Sequence, residues 1–357
     1  MLRKMFLRSV VGCILASLWF SSVALAEDNL EHITFRLNWI PGGDHIFYYV
    51  AKELGFYKEV GLDVTIERGR GSGDTVSVVD IGTADIGLAD TGVVIVARSR
   101  GARVKVIAMI YSQSPNGIKT RVDTGIRTPK DLEGKVVGVP VGDAQRVLWP
   151  ALAKANNVNM DAVTLVHVDP GAKAAALAAK RVDAVFDWVV GNLSYWEAGL
   201  GKDELVVIPW RDWGVNPYGN AIITSERMIA ERPDVLRRFL EATLKAWQWT
   251  ILNFEEAVAI FTKYNPEVPA LGAKERFVVD IRELVDSPEV RLHGLGWIDH
   301  DRMVESVMYI NEYFELEMPV AAEDVYTLAF LPYYPLPDYE HLPTLEQIWE
   351  EWKATRR

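Results

Sequence analysis

Between residues 32 and about 215, short apolar runs of strand length alternate with stretches whose apolar residues recur at helical spacing. "ITFRLNW", "LDVTIER", "ADIGLAD" and "VKVIAMIY" read as strands, with "IFYYVAKELGFYKEV", "DTVSVVDIG" and "TGVVIVARSRG" as the helices between them. This order implies parallel strands joined by helical crossovers. A turn-rich patch, "SQSPNG" at 112–117, marks a boundary, and then the alternation restarts. "KVVGVPV", "VTLVHVD" and "VDAVFDW" are strands, separated by the helices "DAQRVLWPALAKANN" and "PGAKAAALAAKR". Two segments, 65–90 and 163–188, align at an offset of 98, with Gly73 on Gly171, Asp85 on Asp183 and Asp90 on Trp188. The shared glycine at the helix entry and the shared aspartate before the strand imply two similarly built lobes. After "PYGNAIITSE" (217–226) the pattern becomes mainly helical. Pro233 lies near the start of the long helical stretch and Asn265-Pro266 at its end. The tail carries the irregular, aromatic "LPYYPLPDYEHLP" and a last amphipathic helix, "TLEQIWEEWKATRR".

Residues 1–26 fall outside this scheme. Arg3, Lys4 and Arg8 precede an apolar run from Ser9 to Val23, and "ALA" at 24–26 has the form of a cleavage site. The expectation is a signal peptide cleaved after Ala26 and a periplasmic mature chain. The run is short for a membrane span, and no later stretch approaches about 20 apolar residues. The only cysteine, Cys13, lies in the leader, so the mature chain has no disulfide, thiolate nucleophile or cysteine metal site. Loss of the leader's three positive charges takes the formal charge from −11 to −14. Such acidity keeps an exported protein soluble and disfavours nucleic acid, whose phosphates need basic clusters.

In open sheets of parallel strands, ligands bind beyond the carboxyl ends of the strands. After the first strand come Asn38, Trp39, Asp44 and His45, around a turn bent by Pro41, Gly42 and Gly43. After the second comes "GSGD" (71–74), with Ser72 and Gly73, whose glycines would let backbone approach a ligand at a helix entry. Asp90 and Thr91 follow the third strand, and Tyr111 and Ser112 the fourth. In the second half, Gly142 and Asp143, then Asp169 and Gly171, then Asp187, Trp188 and Asn192 occupy the corresponding ends. Trp210, Trp213 and Tyr218 form a later aromatic cluster with Asp212 and Asn216. Walls of Trp, Tyr, Asp, Asn and His suit a flat ring held between aromatics and read by carboxylates and amides. Arg and Lys look scarce at these ends, so a neutral or weakly cationic heterocycle is expected rather than nitrate or a sulfonate.

Enzyme signatures are missing: there is no G-x-S-x-G, Walker A or H-E-x-x-H pattern. His293, His300, Asp299 and Asp301 in "HGLGWIDHD" read as a solvated loop, not a metal site. Glu255-Glu256 and Glu350-Glu351 read as exposed helix faces. No metal and no cofactor are expected.

"LNWIPGGDHIFYYVAKELGFYKEVGLDV" resembles the opening of the family that joins bacterial periplasmic binding proteins for thiamine pyrimidine precursors with the fungal thiamine pyrimidine synthases. The resemblance runs through "ADIGLAD", "DLEGKVVGVP" and "ITSERMIAERPDVLRRFLEATLKAW", roughly 34 to 255. It implies an α/β, two-lobed type II periplasmic binding fold, each lobe a mixed, mainly parallel sheet flanked by helices, with two hinge crossovers near 110–118 and 217–225. Lobe one would comprise 27–114 and 223–357, and lobe two 115–222. By the same resemblance Asn38, Trp39 and His45 line a pyrimidine pocket, and Gly142 and Asp143 stand at the second-lobe helix entry where the synthases grip a phosphate. Trp39 with Tyr218 or Trp188 would stack on the ring, Asp90, Asp187 and Asn38 would read its polar edge, and His45 would be a hydrogen-bonding wall. The synthase alternative fails at several positions. Ala89 stands where those enzymes hold pyridoxal phosphate on a lysine, and Val93 where they consume a histidine. Their phosphate loop corresponds to "GDAQR" (142–146), which lacks its second glycine, and their cysteine cluster has no counterpart. The resemblance therefore implies a monomeric carrier that passes a thiamine pyrimidine precursor, such as hydroxymethylpyrimidine or formylaminopyrimidine, to an ABC permease and its ATPase. It would meet the membrane only through that permease. Riboflavin, an aromatic acid or a sulfonate are the alternative ligands.

Overall fold

Ten strands form two five-stranded sheets among the residues described by the computed structural model, 30–314 and 316–356. The expected leader, with Cys13 and the cleavage point after Ala26, lies outside the described residues. No helix among them is long and apolar enough to cross a membrane. The first sheet contains β1 (Glu31–Arg36), β2 (Leu62–Glu67), β3 (Ile86–Asp90) and β4 (Val104–Met109), joined by the late strand β10 (Asn220–Ser225), in the order β2-β1-β3-β10-β4. The second contains β5 (Asn116–Arg121), β6 (Val136–Gly138), β7 (Thr164–Val166), β8 (Ala184–Trp188) and β9 (Leu205–Pro209), in the order β7-β6-β8-β5-β9.

The two orders are the same pattern. In each, one strand runs antiparallel to both neighbours, β10 between β3 and β4, and β5 between β8 and β9. The other four strands of each sheet point one way. The 98-residue offset has a physical counterpart as well. Asp85 Oδ2 accepts the Thr34 N–H at 2.8 Å, and Asp183 Oδ2 accepts the Val136 N–H at 2.8 Å. Each aspartate ties one strand of its sheet to the turn before another.

The chain crosses between sheets at 110–115 and 210–219. Of the stretches expected as crossovers, residues 116–118 lie in β5 and 220–225 form β10, which also contains residue 222. The two crossings are bound to each other. Asn220 O accepts N–H groups from Ile110 and Tyr111 at 2.9 and 3.0 Å, and the Asn216 amide holds Ser114 N (2.9 Å) and Gln113 Oε1 (2.8 Å). Gly219 is required here, because a Cβ would lie 2.6 Å from Gln113 O.

Helices flank both sheets. Those used below are α1 (Ile46–Glu53), α2 (Ser72–Asp80), α3 (Thr91–Ser99), α4 (Ala144–Ala155), α5 (Lys173–Ala178) and α6 (Leu193–Glu197). The C-terminal part adds α7 (Pro233–Leu252), α8 (Phe254–Tyr264), α9 (Ala270–Val279) and α10 (Leu345–Ala354). The expected single helix 46–60 is two, since Gly55 takes φ +77 and starts a separate turn at Phe56–Glu59. α7 covers the first sheet: Trp247 stacks on Phe47 (4.8 Å, 9°) and Phe239 meets both Phe35 and Tyr57. α10 reaches both halves. Ile348 is fully buried in the larger core, while Trp349 and Trp352 lie against Trp196 of α6 (centroids 4.6 and 6.1 Å). Lys202 closes this contact on Glu346 at 2.6 Å.

Candidate functional site

The carboxyl ends of the parallel strands in the two sheets face each other across a narrow slot. Asn38 and Trp39 follow β1, Ser72 opens α2, Asp143 caps α4, and Asp187 and Trp188 end β8; all line the slot. About 20 Å³ of it is open to the centre of a water-sized sphere, room for one or two waters. A wider chamber of about 350 Å³ on the same measure adjoins it and shares four walls: Trp39, Lys173, Asp187 and Arg276.

The turn after β1 is organised by His45, which is fully buried and lines neither space. Its Nδ1 accepts the Gly42 N–H at 3.1 Å, so Nε2 carries the proton and donates towards Asn38 Oδ1 (3.1 Å) and Asp44 Oδ2 (3.2 Å). Burial holds its pKa at about 4 against the pull of Asp44, and the ring is neutral at pH 7. With Oδ1 engaged, Asn38 turns its amide N–H₂ to the slot. Asp44 in turn lies 2.7 Å from Arg276 Nε of α9.

Three cations, Lys119, Lys173 and Arg276, stand in or behind the site, which corrects the expectation that Arg and Lys are scarce there. Lys173 Nζ meets Asp143 Oδ2 at 2.9 Å and Asp187 Oδ1 at 3.4 Å. Lys119, buried on β5, donates to Val190 O (2.6 Å) and lies 4.0 Å from Asp187. Burial penalises every one of these charges. For Asp187 it is outweighed by Lys173, Lys119 and the Tyr195 hydroxyl (2.5 Å), which hold the pKa at about 2. For Lys173 the two carboxylates likewise win, and its pKa is raised. Burial pushes Asp143 upward, yet at 2.9 Å from a lysine held protonated the pair stays ionic at neutral pH. Asp280, one turn beyond Arg276, is forced neutral by burial and by the Asp44 charge. Glu275, fully buried at the chamber wall, is likewise pushed upward by burial, which leaves three cations facing Asp44, Asp143 and Asp187. Two of the cations cover the indoles, Lys173 at 5.0 Å from the Trp39 centroid and Arg276 at 5.1 Å from that of Trp188.

The remaining expected residues are placed differently. Gly142 lets the two halves of the chain touch, since a Cβ on it would lie 2.8 Å from Arg70 O, whereas a Cβ on Gly73 would have ordinary room, 3.8 Å from Gly142 O. A Cβ on neighbouring Gly71, at φ +125, would lie 1.9 Å from Gly142 O. Thr91 ties α3 to the second crossing through Gly219 O (2.8 Å), and Ser112 bonds Ser287 and the backbone of 284–285. Tyr111 supports Trp188 edge-on (5.6 Å, 80°). Asn192 gives its N–H to Glu275 at 3.1 Å. Trp210, fully buried against Phe186, and Tyr218, whose hydroxyl accepts the Asp299 N–H, are core residues away from the slot. Asp169 and Gly171 are exposed, and the residue their turn delivers is Lys173. His293 stacks on Trp297, and His300 contacts Tyr326.

Gln145 was not expected, although its position two residues after Asp143 on the first turn of α4 could have flagged it. It lines the slot with its buried Nε2–H lacking a protein acceptor. Asp90 caps α3 through Gly92 N (2.9 Å) and is buried behind the slot, where burial pushes its pKa to about 7. The folded chain therefore binds this proton more tightly than the unfolded one, whose value is 3.8, and stability falls as pH rises from 4 through 7. Asp90→Asn keeps the cap acceptor and removes the titration. Its melting temperature should gain on wild type at pH 8 compared with pH 5; an unchanged difference at the two pH values would contradict the burial of a titrating carboxyl.

Chemically, the slot offers two ring faces, amide and guanidinium donors, and two carboxylate acceptors. Its one hydroxyl, on Ser72, is 3.0 Å from the Asp90 N–H and has no histidine beside it. A family model described as NMT1/THI5-like matches residues 43–257, more than half of the chain. The chain belongs to the NMT1/THI5-like family. Among its relatives is a formylaminopyrimidine-binding protein of Halalkalibacterium halodurans, 27% identical over 328 residues, covering 89% of this chain and 97% of the relative. Another is the riboflavin-binding protein RibY of Chloroflexus aurantiacus, 23% identical over 313 residues and covering 86% and 88% of the two chains. In fold, this NMT1/THI5-like chain is similar to the alkanesulfonate-binding protein SsuA of Xanthomonas axonopodis pv. citri, solved bound to MOPS. That likeness has a TM-score of 0.61 at 13% identity, over 83% of this chain and 98% of the other.

Proposed function

We propose that this protein is a periplasmic solute-binding protein that captures a small neutral heterocycle, a thiamine pyrimidine precursor, for an ABC permease and its ATPase. The observation that carries this reading is the balanced slot: three cations against three carboxylates, between two indoles, at facing strand ends. A neutral ring adds no charge to such a site, whereas nitrate or a sulfonate would leave it unbalanced. Ring nitrogens and amino groups find donors in Asn38 and Gln145 and acceptors in Asp143 and Asp187. The relative named for formylaminopyrimidine supports the same ligand class.

The parts built on the two sheets act as lobes, with 110–115 and 210–219 as hinges. Closure brings Gly71 against Gly142, and the ligand's better fit to the closed form draws the lobes together. The protein acts as a monomer and a carrier rather than an enzyme. Ala89, fully buried in β3, stands where a synthase needs its lysine. The chamber is the one observation that favours a larger ring such as a flavin.

A thermal-shift screen of residues 27–357 tests this. Its panel is hydroxymethylpyrimidine, formylaminopyrimidine, thiamine, riboflavin, aromatic carboxylates, sulfonates and nitrate. Ligand at 100 times its dissociation constant stabilises the fold by about 2.7 kcal/mol. A shift with a pyrimidine is expected. A shift with nitrate or a sulfonate alone would overturn the neutral-ring assignment.

A further inference from the structure

Arg276 belongs to α9, beyond the 43–257 stretch that the family model covers. It lines both the slot and the chamber. Its Nε is fixed 2.7 Å from Asp44, and its guanidinium carbon lies over the Trp188 indole, 5.1 Å from the ring centroid. The Nε is sealed from solvent while the side chain as a whole is 20% exposed, and neither Nη group has a hydrogen-bond acceptor among the described residues. Glycines keep the space before them clear. A Cβ on Gly42 would be 3.4 Å from Nη1, and one on Gly191 would be 3.6 Å from it; both glycines line the chamber.

We propose that Arg276 is a specificity-determining residue whose Nη fork receives a neutral acyl oxygen, carried on a substituent of the bound ring and lying in the chamber. This rests on the ring-binding reading above. A planar guanidinium presents fixed donors suited to an sp² oxygen. Asp44 already balances its charge, so an anionic partner is not required. Glu197 and Glu267 also line the chamber and disfavour a free carboxylate there. The slot alone holds only a water or two, whereas the chamber accommodates a side group once Lys173 and Arg276 yield the indole faces.

The test compares two neutral pyrimidines by calorimetry: 4-amino-5-hydroxymethyl-2-methylpyrimidine and the N-formyl derivative of its 5-aminomethyl analogue. Wild type should prefer the formyl compound by about tenfold, the worth of one hydrogen bond to a charged group. Arg276→Lys keeps a cation beside Asp44 but loses the fork. The readout is the ratio of the two affinities, which should fall to within about twofold in this variant. If this variant does not fold, Arg276→Gln with Asp44→Asn removes the buried pair together and allows the same comparison. A preference that survives in the variant, or wild type binding both compounds alike, overturns the role of Arg276 while the ring reading stands. Binding of neither pyrimidine overturns the ring reading itself, and this inference with it.

Discussion

Lys173→Met should cost about 3–5 kcal/mol of folding stability at pH 7, at the lower end of that range, because it strips a buried carboxylate of its cation. Methionine retains the length and apolar stem of lysine, so packing changes little. Asp143, 3% exposed, then keeps one hydrogen bond, from Gln145 N at 3.0 Å, with no charge to oppose its own. Asp187 suffers less. Its side chain is 26% exposed and still faces Lys119 and the Tyr195 hydroxyl, so solvent trims its share. The pH dependence follows from sign. Asp187 is held at about 2 against 3.8 unfolded, so its contribution is present above pH 4 and is lost as pH falls through 2. The gap between wild type and Lys173→Met should therefore narrow as the pH is lowered. Urea titrations at pH 7 and pH 3.5 measure it. A loss below 1 kcal/mol at pH 7, or a gap that widens in acid, would mean that Lys173 does not neutralise these carboxylates.

The difference between what the sequence reveals and what it hides is visible at individual residues. The alternation of strands and helices is legible because burial on both faces makes β3 and β4 largely apolar runs, with every residue but Lys105 buried. The repeat is legible because Asp85 and Asp183 perform one local task, accepting a backbone N–H from the neighbouring strand, and so recur at one spacing. The turn after β1 is legible for a similar reason. Its glycines, Asp44 and His45 are adjacent in the chain and build the site through local hydrogen bonds.

The rest depends on long-range packing. Trp210 follows a strand end as Trp39 does and Tyr218 precedes a strand, but an aromatic in such a place turns to whichever side offers a cavity. Trp210 fills the space beside Phe186, and Tyr218 is held by Asp299 and Ser306. Gly71 announces room without saying for what, and the backbone at Gly142 occupies it. Arg276 has no sequence signal. It lies in a helix read only as tail, and its role comes from Asp44, 232 positions earlier, and from Trp188. Lys173 could have been found: it is the lone charge leading an alanine-rich helix, at the turn after β7 where a cleft-facing residue was sought.

Trp39→Ala should weaken ligand binding by about 10- to 100-fold, the 1–3 kcal/mol that a base–aromatic stack is worth. Trp39 lines both slot and chamber, and in the structure its indole is already used as a stacking surface, with Lys173 at 5.0 Å from the ring centroid. An entering ring must displace that ammonium, and it can do so cheaply because Asp143 and Asp187 hold the lysine by themselves. The same independence protects the fold: removing a half-buried indole leaves the ion pairs, the Asn38–His45 bond and the interface at Gly71 in place. The melting temperature of the unliganded variant should therefore move little, and the affinity loss cannot be assigned to unfolding. Trp39→Phe separates a ring face from indole-specific contacts and should recover most of the affinity. Trp188→Ala would be a poorer probe, since that indole also packs on Tyr111 and under Arg276. A dissociation constant for Trp39→Ala within threefold of wild type would place the ring elsewhere.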